Sequence, residues 1–196
     1  MTSRVLTIVI LIVMCGRVAA QGDLIVSRSS VEVTGTSTLH DWEMKSEIVT
    51  GNGSFIMKDE ALTDVKDLRI TVQAERLKSG KEGLDKTAYK TLKTDRNKTI
   101  NFQSTRVVEI TQSGSNYAVR LEGKLSIAGV TKTVTVKAIC SVKAGSVMHC
   151  KGEHSVKMTD YDMEPPTMML GTVKTGDEVK VAFDITFSPS AIVSTN

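Results

Sequence analysis

The 196-residue sequence has no apolar run long enough to cross a bilayer, which takes about 20 residues. It also lacks an excess of either charge: 25 Lys and Arg stand against 22 Asp and Glu. Setting aside Arg4 and Arg17 in the leader leaves near neutrality, so there is no electrostatic case for nucleic acid or for an anionic membrane surface. Acids and bases interleave as on solvated strand faces. Aromatic rings are scarce, with four Phe and one Trp to fill an interior, which favours a cavity over a plugged core. No G-x-S-x-G elbow, phosphate loop, zinc-hydrolase helix or dinucleotide fingerprint occurs, so no enzyme class has its signature here. Repeats, low-complexity tracts and interdomain linkers are missing as well.

What is present begins with a leader. Arg4 gives a positive start, residues 5–14 form a short apolar stretch, and Val18, Ala19 and Ala20 supply small residues for cleavage before Gln21. Residues 1–20 are therefore expected to be a signal peptide, and the protein to be periplasmic or secreted. Bulky Met14 argues against lipid attachment at Cys15. Residues 21–196 are one domain's worth of chain.

Strand alternation dominates that domain. Tyr117, Val119, Leu121, Leu125 and Ile127 alternate with Arg120, Glu122, Lys124 and Ser126, the two-residue period of a half-buried strand. The same pattern recurs at Val31 and Val33, Trp42 and Met44, Phe55 and Met57, and Leu68, Ile70 and Val72. It returns at Ile100 and Phe102, and again at Val179, Val181, Phe183, Ile185 and Phe187. About eight such strands joined by short polar turns require a second layer or closure into a barrel. Leu84, Ala88 and Leu92 instead recur every four residues, predicting a helix, with Ser79 and Glu82 at capping-box spacing. Pro165, Pro166 and Gly171 bracket residues 164–171 as one or two further helical turns.

Cys140 and Cys150 flank a turn centred on Gly145. A three-residue loop there sets them directly opposite each other, so a cross-strand disulfide is expected in an oxidising compartment. A metal site at His149, Cys150 and His154 is rejected. His149 points to the other face, and His154 lies roughly 13 Å from Cys150 along a strand, whereas zinc donors lie within about 2.3 Å of the ion. Met163, Met168 and Met169 are better suited to filling the core or lining a pocket than to holding copper. His40 is expected in a buried hydrogen-bond network at the start of the barrel or against a ligand head group.

Four phrases in order carry a family resemblance: Gly35-Thr-Ser-Thr-Leu-His40-Asp-Trp42, Ile100-Asn-Phe-Gln-Ser104, the Gly129-Val-Thr131 turn, and Met158-Thr-Asp-Tyr-Asp162 followed by Lys174-Thr-Gly-Asp177. Over residues 24–187 the chain resembles the YceI-like family. It departs from the family at Asn97-Lys98, where members often carry Tyr-Pro, and in having a cysteine pair. The resemblance implies an all-β fold: an eight-stranded antiparallel lipocalin-like barrel, with one or two short helices near its mouth and a lumen for isoprenoid or fatty-acyl amphiphiles.

The expected ligand-facing residues are Trp42, Phe55, Met57, Leu68, Val72, Phe102, Leu121, Ile127, His154 and Phe183 in the lumen. Leu84, Tyr89, Leu92, Met168 and Met169 are expected at the mouth. The partner is then a hydrophobic small molecule, without cofactor, metal, catalysis, nucleic acid or stable membrane insertion. Oligomeric state, monomer or homodimer, is left open. The rival expectation is a barrel filled by its own side chains that acts through its surface in envelope stress or adhesion.

Overall fold

The computed structural model describes residues 20–168 and 171–189. Most of the expected leader, Cys15 and Met169 lie outside the described residues, and of Met168 only the backbone is described. The strands are β1 (Ala20–Ser37), β2 (Trp42–Ser46), β3 (Val49–Lys58), β4 (Ala61–Gln73), β5 (Thr99–Ser113), β6 (Asn116–Ile127), β7 (Val130–Lys143), β8 (Val147–Lys157), β9 (Thr167–Met168) and β10 (Val173–Pro189). The helix α1 spans Glu82–Thr91. No helix among the described residues is long and apolar enough to cross a membrane.

The strands pair antiparallel as a meander, and β10 returns to β1 to close an eight-stranded barrel. β2 and β3 act as one stave. Both keep the same register on β1, with Val31 facing Ser46 and Leu24 facing Gly53. At the break between them, the Ser29 hydroxyl donates to the Glu47 carbonyl and accepts from the Val49 amide, each at 3.2 Å. Backbone groups that a regular ladder would satisfy are thus satisfied by a side chain.

Alternation on β6 is as expected: Tyr117, Val119, Leu121 and Ile127 are buried. Ala128 and Gly129 follow with φ of 49° and 89°, the two-residue turn whose twist suits a hairpin. On β7 and β8 the three-residue turn sets Cys140 opposite Cys150. They form a disulfide with Cα atoms 4.1 Å apart, close to the ~4.5 Å of a non-hydrogen-bonded pair.

One end of the barrel is plugged. The Phe55 and Phe187 rings meet at 5.2 Å, Leu24, Leu62 and Met148 are buried around them, and the Tyr117 hydroxyl donates to the Glu60 carbonyl. Burying each aliphatic side chain there contributes roughly 1.5–3 kcal/mol. At the other end α1 lies over the opening, with Leu84, Ala88 and Leu92 toward the lumen.

Two local expectations are corrected. Ser79 does not form a capping box with Glu82: α1 has no side-chain cap. Gly80 adopts a φ of 77°, and the Ser79 amide and hydroxyl both turn to Asp85 Oδ1, at 2.8 and 2.7 Å. The described residues 164–168 do not form the second helix expected over 164–171. Proline disfavours the helical region for the residue before it, here Glu164 and Pro165, and Thr167 and Met168 pair with Lys174 and Val173 instead. A short 3-10 turn forms earlier instead, at Met158–Tyr161.

Candidate functional site

Inside the barrel lies a cavity of about 270 Å³ with an almost wholly apolar wall. Along β8 its lining runs from Cys150 to Val156, six residues or ~20 Å of strand, and Met158 in the 3-10 turn continues it toward the roof. That is the proportion of a site for a chain rather than for a compact ring. Its floor is the plugged end, with Cys140, Cys150, Ile185 and Phe187, and its roof is α1 with Met158, Met163 and Pro166.

The wall stays hollow through a repeated local device. Three aromatics that line the cavity each lie over a glycine of the neighbouring strand. A Cβ on Gly35 would fall 2.3 Å from the Trp42 ring, one on Gly123 2.6 Å from Phe102, and one on Gly152 2.5 Å from Phe183. Without a side chain on the glycine, the ring flattens against the sheet instead of projecting across the lumen. Trp42 is held further by its indole N–H, which donates to the Thr36 carbonyl at 3.2 Å.

The rim is pinned by two carboxylates. Burial pushes the Asp85 carboxyl up, but the Ser79 hydroxyl and amide and the Lys78 ammonium outweigh it and hold it below the ordinary carboxylate value. Asp177 takes the Thr159 amide at 2.9 Å and its hydroxyl at 2.7 Å, which lowers its pKa and ties the 3-10 turn to β10. Between these anchors, Lys93 Nζ reaches across the mouth to the Asp162 carbonyl at 2.8 Å. Both residues take left-handed φ, 54° and 51°.

Of the residues expected at the ligand, Trp42, Phe55, Leu68, Val72, Leu84, Leu92, Phe102, Leu121, Ile127, His154 and Phe183 line the cavity. Two do not. Met57 packs against the core toward the plugged end. Tyr89 turns its hydroxyl to the Glu75 and Leu77 carbonyls, at 2.9 and 3.0 Å, so it straps the segment before α1 rather than bordering the mouth. The Met168 side chain and Met169 lie outside the described residues. His40 is exposed in the turn after β1, against the expectation of burial, with Nδ1 2.9 Å from the Asp41 carbonyl. His149 stands on the barrel's outer face, 2.7 Å from Asp184, and His154 on the inner face. Sequence reasoning missed Val65, Thr87, Thr91 and the three glycine shelves. For the shelves the available signal was glycine inside a strand pattern, which marks a close approach.

The YceI-like domain family matches residues 23–187. The chain belongs to the YceI-like family. Solved YceI-like and related barrels share its fold at low identity. The Burkholderia cenocepacia BcnA structure superposes with a TM-score of 0.66 at 17% identity, covering 81% of this chain and 95% of that one. A polyisoprenoid binding domain from Saccharophagus degradans gives 0.67 at 10% identity, over 87% and 100%. The Campylobacter jejuni YceI protein gives 0.57 at 15% identity, over 72% and 81%. No protein in the curated set matches the chain significantly by sequence. Seen as a YceI-like barrel, the four sequence phrases acquire physical jobs. The first seats Trp42 on Gly35, the second seats Phe102 on Gly123, the third turns the β6–β7 hairpin, and the last joins Thr159 to Asp177.

Proposed function

We propose that this YceI-like protein sequesters or carries an isoprenoid or long-chain acyl amphiphile in the barrel lumen, after export to the periplasm or beyond. The observation that carries the reading is the elongated apolar cavity, plugged at one end and roofed by a helix at the other. One structure of the same fold is described as a polyisoprenoid binding domain, which agrees with that ligand class. The protein acts by lowering the cost of keeping an apolar chain in water, without catalysis. Burying one five-carbon isoprene unit contributes ~3–4 kcal/mol, at about 0.8 per methylene-sized group. Three or four units therefore offset the ordering cost of binding and reach micromolar affinity or better. The cavity disfavours the filled-barrel rival.

The test uses delipidated protein and a fluorescent prenyl or long-acyl probe. The wild type should take up the probe and gain thermal stability from it. Val72→Trp and Ile127→Trp, both at lining positions, should block uptake. Their cost in stability should be below the ~1–3 kcal/mol of overpacking a filled core, because the ring occupies space the ligand left. A delipidated wild type that neither takes up a probe nor is stabilised by one refutes the carrier reading.

A further inference from the structure

The cavity wall is hydrocarbon except at a few points, and most of these are already engaged. Trp42 donates to the Thr36 carbonyl, Thr87 to Gly83 at 2.9 Å and Thr91 to Thr87 at 3.0 Å. His154 is different. It lines the lumen on β8, is half-buried, and makes no hydrogen bond among the described residues. It is also the only side chain of the described lining that titrates, the two cysteines being joined. Val181 sits directly opposite it on β10, Val33 lies beyond on β1, and Val136 lines the β7 side. None of these offers a donor or an acceptor.

We infer that His154 anchors a neutral hydrogen-bonding group, a hydroxyl or a carbonyl, carried within the buried length of the ligand. The inference rests on the carrier reading above and specifies its substrate class. Burial in the lumen pushes the imidazole below its ordinary pKa, so the ring is neutral at neutral pH. A neutral imidazole has one N–H donor and one bare nitrogen acceptor. A hydroxyl satisfies either nitrogen, and a carbonyl satisfies the donor. A phosphate or carboxylate at the same depth would be a buried charge without a counterion, so an ionic end belongs at the mouth. A pure hydrocarbon filling the lumen would strip water from the imidazole and give nothing back. His154 therefore selects among chains of equal length by what they carry inside.

The position along the barrel fits this role. Cys150, at the floor, lies four residues below His154, ~13 Å of strand, and Val156 and Met158 rise above it toward the roof. A polar group beside His154 is thus enclosed on all sides by apolar wall. There a hydrogen bond competes poorly with water and discriminates most.

Competition against a bound fluorescent prenyl probe tests the inference, using farnesol, whose extended main chain matches the depth of the floor below His154, the hydrocarbon of the same carbon skeleton, and farnesyl phosphate. Wild-type protein should bind the alcohol about three- to tenfold more tightly than the hydrocarbon. In His154→Leu that ratio should collapse to near one, and His154→Gln, which keeps a donor and an acceptor, should restore part of it. The ring nitrogens of His154 should also report a hydrogen bond in NMR spectra of the wild type when the alcohol is added, and should shift in the opposite sense when the hydrocarbon displaces water from them. This readout does not depend on any variant folding. Equal affinity for alcohol and hydrocarbon in the wild type, or a preference that survives in His154→Leu, overturns the inference while leaving the carrier reading intact. Binding of none of the three overturns both. Tighter binding of the phosphate than of the alcohol, accompanied by a shift of the His154 ring, overturns the neutral-group assignment.

Discussion

Gly152→Ala should cost the protein both stability and lumen. The added Cβ would stand 2.3 Å from the Lys137 carbonyl oxygen and 2.5 Å from the Phe183 ring. Backbone cannot retreat without widening the β7–β8 pair, so part of the strain falls on the sheet. The ring can retreat, but only by swinging off its shelf into the 270 Å³ cavity. Overpacking of this kind costs about 1–3 kcal/mol. At about 2 kcal/mol the melting temperature drops by roughly 4–8 °C for a domain of this length. Uptake of a long-chain probe should weaken in parallel, because Phe183 now occupies ligand space. The companion variant Phe183→Leu, combined with Gly152→Ala, should recover part of the loss by removing the ring while the carbonyl clash persists. Thermal melts and probe titrations on the two single variants and the double variant complete a cycle. Additivity within about 0.5 kcal/mol would show that Cβ and ring do not collide. An unchanged melting temperature in Gly152→Ala would refute the shelf argument outright.

Three further outcomes follow from the structure. Reduction of Cys140–Cys150, or its replacement by two serines, should lower stability by about 2–3 kcal/mol, the loop-closure value for its separation of 10 residues. Denaturant midpoints with and without reductant measure this, and unfolded, unreduced mature protein should show no free thiol. Asp85→Ala should cost about 2 kcal/mol, as expected for hydrogen bonds to a charged acceptor, read from the denaturant midpoint. The Asp85 carboxyl is held below its ordinary value of 3.8. Its stabilisation is therefore complete above that value and lost as pH falls through the folded-state pKa. Melts of wild type and Asp85→Ala should converge at the acid end of that window, and parallel acid limbs would contradict the assignment. Lys93→Ala, which removes the tie to the Asp162 carbonyl, should speed probe exchange at the mouth several-fold in stopped-flow release, with little change in melting temperature.

The barrel was legible in the sequence wherever a strand ran without interruption. From Tyr117 to Ile127 every inward position is apolar or glycine, and a two-residue period leaves one choice of face. The disulfide was legible for the same reason: a short turn at Gly145 fixes the register, and the register fixes who faces whom. Legibility failed where the ladder slips. β4 slips against β3 twice, between Leu62 and Asp64 and again at Asp67, which takes a φ of 51°, so inward burial changes parity from Leu62 to Val65 and back to Leu68 and Val72. Read as strict alternation, the first half of that strand disappears. Composition misleads at Tyr89 for a different reason. Its ring has the right size and spacing for the mouth, but its half-buried hydroxyl finds two carbonyls beside the helix and donates to them. The glycine shelves are tertiary facts, since each depends on which residue of another strand arrives opposite.

An empty interior is not a neutral property of a fold. At about 24 cal/mol per Å³ of void, a 270 Å³ cavity left unfilled costs roughly 6 kcal/mol relative to a packed core, comparable to the entire 5–15 kcal/mol by which proteins of this kind are stable. Filling the space needs only small changes: leucine for valine or alanine along the lining, or rings turned inward. The chain instead spends three strand-interior glycines, each a weak strand former, on keeping Trp42, Phe102 and Phe183 against the wall. At the plugged end Phe55 and Phe187 close on each other. Packing is thus tight at one end and withheld along the lumen, within one sheet and with one repertoire of side chains. A barrel shaped only for stability has no reason to differ along its axis in this way. One that must receive a chain from the roofed end and stop it at the floor does.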